Sequence, residues 1–362
     1  MPRMRWASPL AVGLIATSLV ACGGTSVSPA GSVSGSGSTA QIAAYQGSDR
    51  QTRLEAGARA EGAITWYTTL AGDVIETLKA GFEQKYPYLK ITVFRADETG
   101  LATRATQEAQ ASKQTFDVIE CAPVTTGLLE GANMLTPFFS PELAKLSNDL
   151  KPGPGNSLAD GATARIAYAG FGWNTTLLPD SAVPKTQADL LSPALKGKLG
   201  LAGSTTGSNW VGAVLHVMGD DAGKKFLSQV ASQQQPKVYQ VSGQALLDLI
   251  VKGEVPAAPT IFLAHVQAAQ MQNAPVKWAA LDTAVANLGQ DSLAAKAPHP
   301  NAGLLFIDWL LSDGATILKQ QGFFPGTDKV TFPYWAPDAG VAPAQAEQNL
   351  NSWTELFKTT FR

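Results

Sequence analysis

The chain has 362 residues, 45% of them hydrophobic and 15% charged, which suits two globular domains of ordinary size. Twenty-seven Lys and Arg against 29 Asp and Glu give a net charge of −2. No local run is strongly basic, and this excludes nucleic acid, whose binding rests on a basic footprint.

At the N-terminus Arg3 and Arg5 precede an apolar stretch over 10–20 that is too short to span a bilayer. It ends Leu19-Val20-Ala21-Cys22-Gly23-Gly24, which resembles the lipobox of bacterial lipoproteins. That resemblance implies a signal peptide over 1–21 and a lipid on Cys22, anchoring the protein at the periplasmic or extracellular face of the membrane. The other reading is an ordinary secretory signal that contains a cysteine. Residues 25–40 are Ser/Gly-rich and uncharged, and 22–60 is expected to act as a flexible tether. Losing Arg3 and Arg5 with the signal would move the net charge to −4. Cys121 would then stand alone, so no intramolecular disulfide is expected. With no basic neighbour in sequence it reads as a small buried hydrophobe.

Residues 63–67 and 90–94 read as strands. Between them Val74, Ile75, Leu78, Phe82 and Tyr86 recur at helical spacing, so a βαβ unit and a parallel sheet are predicted. A helix over 99–113 and a strand over 116–121 follow. Residues 135–168, rich in Pro and Gly, are expected to be irregular. Strands over 199–202, 237–241 and 255–262 alternate with a helix from about Trp210 and one over 245–252, closed by Gly253. The 298–301 stretch opens an apolar helix over 304–311. Ser312 is expected to cap a second that stops at Gly322, and 353–361 forms a small tail helix.

Five segments carry a family resemblance: ITWYTTLAGDVIETLKAGFEQKYP (64–87), FDVIECA (116–122), LLSPALKGKLGLAGSTTGSNW (190–210), VSGQALLDLIVKGEVPAA (241–258) and APHPNAGLLFIDWLLSDGATILKQQGFFP (297–325). Together they resemble the type II periplasmic solute-binding proteins of ABC importers, in the ferric-iron-binding-like branch. The resemblance implies a two-lobed α/β fold, each lobe a mainly parallel sheet flanked by helices, with the ligand cleft at the hinge. It implies lobe 1 over 61–167 and 280–330, lobe 2 over 168–279 and a tail over 331–362. The hinge crossings would fall near 121–123 or 168–173, and back near 278–283. A monomer that closes on a small-molecule ligand would then dock on an ABC permease and ATPase complex, with no catalysis and no cofactor.

In the iron-binding relatives adjacent tyrosines after the 241–258 segment coordinate ferric ion. Here those positions hold Leu263 and Ala264, which offer no anionic oxygen. His216, His265 and His299 lie far apart in sequence, so no metal site is expected. Ligands in such folds meet loops at strand carboxyl ends and helix amino ends. Thr68 and Thr69, then Ser204, Thr205 and Thr206, then Ser242, place hydroxyls and amides there, where a helix start favours an anion. The same residues could merely cap helices. Asp97 and Glu98 could pair an amine, or favour their own helix start. Trp173, Trp210 and Phe262 are candidate cleft walls, Trp173 foremost, with Tyr239 and Asp282 weaker.

The expected cargo is therefore a small polar organic solute: a phosphonate, a sugar phosphate, an amino acid or a similar carboxylate. The alternatives are a ferric-ion importer, a sensor that docks on a membrane kinase, and a tethered hydrolase. The last needs a general base that the sequence does not supply, and the common phosphate-loop, zinc-protease and serine-elbow motifs do not occur.

Overall fold

The computed structural model describes residues 37–153 and 157–362. The expected signal peptide, Cys22 and the first part of the tether lie outside the described residues. Among the described residues no helix is long and apolar enough to cross a membrane.

Two helices lead in, α1 (Thr39–Ala43) and α2 (Arg50–Glu61). Arg50 is buried, ion-paired with Asp308, and donates to the Phe139 carbonyl at 2.7 Å. The expected tether to residue 60 is thus corrected: α2 is fixed to the core by a charge that is costly to bury unpaired. The βαβ unit forms as its spacing predicts, with β1 (Ala63–Thr68), α3 (Gly72–Lys85) and β2 (Lys90–Arg95). Val74, Ile75, Leu78 and Phe82 of α3 are all buried. Next come α4 (Glu98–Gln110), β3 (Val118–Cys121), α5 (Pro123–Gly131) and the short β4 (Leu135–Thr136).

The expectation of irregular chain over 135–168 is corrected by β5 (Ala162–Asn174), a strand of 13 residues that are all buried. Buried on both faces, with four Ala and two Gly interspersed among polar and aromatic residues, it shows neither polar alternation nor a bulky apolar run. Then follow β6 (Gly200–Ala202), α6 (Thr205–Met218), α7 (Asp220–Gln229), β7 (Lys237–Tyr239), α8 (Gly243–Val251), β8 (Ala257–Phe262), α9 (Leu263–Met271) and β9 (Val276–Ala279). The chain returns through β10 (Ala284–Ala294), α10 (Pro300–Leu310), α11 (Asp313–Gln320), β11 (Phe324–Pro325) and β12 (Tyr334–Trp335). Ser312 does not cap α11 with its side chain; its hydroxyl donates back to the Asp308 carbonyl at 2.7 Å. The tail helix α12 (Pro343–Thr360) is 18 residues long, not short.

Strand directions define where the lobes meet. β5 pairs antiparallel with β10 and β11 over its first half, and with β8 and β9 over its second. It therefore runs out of one lobe and into the other near Ala169 and Gly170. The alternative crossing near Cys121 is not used, since Pro123 opens α5 against β10. β3 is antiparallel to β10 and parallel to β1, which is parallel to β2. β1, β2 and β3 thus all point their carboxyl ends at lobe 2. In lobe 2, β8 is antiparallel to β5, and a parallel bridge from Leu199 to Ala257 aligns β6 and its partner β7 with β8. β6, β7 and β8 point back at lobe 1. The 10-stranded sheet is mixed rather than mainly parallel, because the strands that cross the hinge run antiparallel to their neighbours, while β6 and β7 form a separate parallel pair.

Candidate ligand-binding site

The converging edges carry the loops after β1, β2 and β3 in lobe 1, and those after β6, β7 and β8 in lobe 2. In lobe 1 the centre is Glu120, 1% exposed. Its Oε2 accepts from Thr68 Oγ1 at 2.7 Å and from both the amide and Oγ1 of Thr69 at 3.0 Å. Arg165 of β5 pairs with its Oε1 at 2.6 Å, and donates to Thr69 Oγ1 at 3.0 Å and Asn287 Oδ1 at 3.3 Å. The Phe323 ring lies 5.4 Å from the guanidinium carbon. Asp291, level with Glu120 on β10, has neither carboxyl oxygen hydrogen-bonded. Burial, then the charge of Glu120, pushes its carboxyl well above the ordinary range. Thr68 and Thr69 are therefore not free anion donors, because an internal carboxylate occupies them.

Asp97 caps α4, accepting from the Gly100 amide at 2.8 Å. Glu98 accepts from the Ala122 amide at 3.0 Å and Thr125 Oγ1 at 2.7 Å, closing the start of α5. Burial raises its carboxyl pKa despite these donors. Both acids are thus committed to helix starts. Arg95, paired in register with Thr68, is exposed at the same edge, and its Nε donates to the Leu70 carbonyl at 3.2 Å.

In lobe 2, Ser204 precedes α6 without capping it, and its Oγ is buried with no partner. Thr205 is exposed and Thr206 half-buried in the first turn. The Gln240 amide lies over Gly203, where a side chain would meet it at 2.5 Å. Ser242 caps α8, accepting from the Ala245 amide at 3.3 Å. Phe262 ends β8 half-buried, its ring edge-on to His265 at 5.4 Å. Trp173 packs on Phe171 in the lobe 2 core and lines a cavity with Val183, Lys185 and Leu281. Trp210 is buried too, bonded to Gln187. The first turn of α6 is thus the sequence-predicted segment left open, while Thr68, Thr69, Asp97, Glu98, Ser242 and Trp173 already have structural partners.

Leu263 and Ala264 open α9, and Ala264 is buried against Gly322, where an added Cβ would lie 3.0 Å from that of Ala264. Among the described residues no three His, Cys, Asp or Glu side chains gather as metal ligands. Cys121 is fully buried beside Thr126, and burial holds its thiol well above the ordinary range. Sequence reasoning missed Glu120, Arg165, Asn287, Asp291 and Arg95. The one signal for Glu120 was an acid inside an apolar strand run.

Two mixed-sheet lobes joined by crossing strands, with loops converging between them, define a two-lobed periplasmic binding-protein fold. The family model for bacterial extracellular solute-binding proteins matches residues 65–317, and the chain belongs to that family. Its members bind small ligands and work with ABC permeases. A ferric-ion-binding periplasmic protein from Serratia marcescens is 26% identical over 168 residues. That alignment takes in 46% of this chain and 47% of the relative, so the chain spans about half the length of the curated relative it matches. The iron-bound HitA structure from Pseudomonas aeruginosa superposes with a TM-score of 0.64 at 17% identity, covering 82% of this chain and 99% of that one. AfuA from Actinobacillus pleuropneumoniae, with fructose 6-phosphate bound, gives 0.64 at 19% identity over the same shares. At these identities the structures establish the fold alone.

Proposed function

We propose that this protein captures a compact organic anion, a sugar phosphate or polycarboxylate, between its lobes and delivers it to a permease. Lobe 1 is taken as 61–167 with 280–330, lobe 2 as 168–279, and a lipid on Cys22 holds the monomer at the membrane. The observation that carries the reading is the open start of α6, with its free amides and the unpartnered Ser204 hydroxyl. Arg95 offers a cation at the opposing edge.

The second reading is ferric ion, and the named relatives favour it more than they favour a sugar phosphate. The side chains support it less, since Leu263 and Ala264 stand where that branch supplies oxygen ligands.

Titration calorimetry with fructose 6-phosphate, citrate, ferric citrate and ferric nitrilotriacetate separates the two. The anion reading expects binding of fructose 6-phosphate or citrate that Thr205→Asp abolishes by like-charge repulsion and Arg95→Ala weakens at least tenfold, about 1.4 kcal/mol. Unchanged affinity in Thr205→Asp would overturn the site. Binding of both ferric complexes, with neither free anion bound, would establish iron as the cargo.

A further inference from the structure

The C-terminal helix touches both lobes through three glycines. On α6 of lobe 2, the Trp353 ring fills the gap left by Gly212, where an added Cβ would meet it at 2.8 Å. Phe357 lies over Gly207 in the first turns of that helix, where the same atom would meet its ring at 2.9 Å. Thr354 Oγ1 donates to Ser208 Oγ at 2.9 Å, and Phe357 and Phe361 are buried in the lobe 2 core. At its other end, Pro343 rests on Gly127 of α5 in lobe 1, and a Cβ there would lie 2.6 Å from the proline Cγ.

We propose that α12 is an interlobe strap: Trp353, Thr354 and Phe357 fasten it to α6, and the Pro343 foot on Gly127 sets the angle between the lobes. The upper anchor is several interlocked rings and a hydrogen bond, so α12 moves with lobe 2. The foot is the first turns of α12 against α5, tightest where the Pro343 ring sits on the Gly127 backbone. Any hinge rotation about β5 must therefore change the Pro343–Gly127 contact. Because Phe357 and Ser208 flank the open start of α6, the strap also connects that end of the cleft to lobe 1. The lobe angle depends on this contact whichever cargo the cleft accepts.

The test uses the full chain with Cys22→Ser, carrying spin labels at Glu76→Cys on α3 and Lys225→Cys on α7, both exposed, while buried Cys121 stays unlabelled. Without any ligand, Gly127→Ala should shift the mean label distance by more than about 2 Å, the scale of real lobe rearrangements. Pro343→Ala should broaden the distribution on its own, and combined with Gly127→Ala should restore the parental mean. Melting curves report folding independently. An unchanged distance in folded Gly127→Ala and Pro343→Ala would overturn the strap. If Gly127→Ala fails to fold, Pro343→Ala decides alone. Neither result depends on ligand binding, so failure here is distinct from failure of the anion reading.

Discussion

Glu120 and Thr69 meet at the lobe 1 edge, where one carboxylate oxygen accepts both the amide and the hydroxyl of Thr69 at 3.0 Å. The donors at this loop are therefore turned inward onto the protein's own carboxylate, and Arg165 neutralises it from below. Lobe 1 offers its edge with these donors already engaged. The open valence lies across the hinge at α6.

Breaking this pair has a large expected cost. Glu120→Ala leaves a guanidinium that is 9% exposed without its carboxylate, so unfolding free energy should fall by about 3–5 kcal/mol. Adding Arg165→Met should recover part of the loss, since a buried pair replaced by apolar groups is often near neutral. Urea unfolding of the single and double variants measures both. A loss below about 1 kcal/mol in Glu120→Ala would mean that the pair is hydrated.

Restoring the aromatic position of the iron-binding branch should also be costly. Ala264 is 6% exposed and abuts Gly322, whose φ of 83° fixes the turn after α11. Ala264→Tyr must displace that turn, and overpacking of this kind costs about 1–3 kcal/mol. Leu263, half-buried, should accept Tyr more readily. Thermal melts of the two variants rank them, and equal stability would mean that the α9 start has room for a ring pair.

How much of this was legible in sequence depends on where the signal lay. α3 was readable because Val74, Ile75, Leu78 and Phe82 keep one face, and all four are buried. β10 was not, since Gln290, Asp291 and Ser292 are polar and buried in a strand of which Asn287 alone is exposed. Pattern reading equates polar with exposed, and here polar side chains lie inside the sheet, with the Asp291 carboxyl buried and without a hydrogen bond. The loops at helix starts were likewise readable as places. Which of them were already filled was not, because Glu120, Glu98 and Arg165 reach them from distant elements, and only the fold brings those together.

His299 links stability to pH. Its Nδ1 lies 3.0 Å from Asp117 Oδ2, and the hydrogen bond to Asp117 raises its pKa above the ordinary value. A raised folded pKa gives stability that is complete below about pH 6.5 and is lost as pH rises through the folded value. Wild type should therefore exceed His299→Gln in melting temperature most at pH 5.5 and least at pH 8.5. A gap that widens with pH would reverse the assignment.

Asp160 also costs stability as pH rises, but here substitution removes a burden instead of a bond. It is 8% exposed, and burial first, then the charge of Glu130, lifts its carboxyl from 3.8 to about 6. The folded state thus holds a proton that the unfolded chain has lost between those values, and stability falls as pH rises through about 6. At pH 7.5 the ionised carboxylate is a burden that Asp160→Asn removes. The gain should be on the order of 1–3 kcal/mol, from a shift of about two units at 1.36 kcal/mol each. Below pH 4 both variants are neutral at this position and the difference should vanish. Urea midpoints at pH 4, 6 and 7.5 measure it. A variant that is less stable than wild type at pH 7.5 would mean that Asp160 is ionised and partnered there, with burial outweighed by a donor.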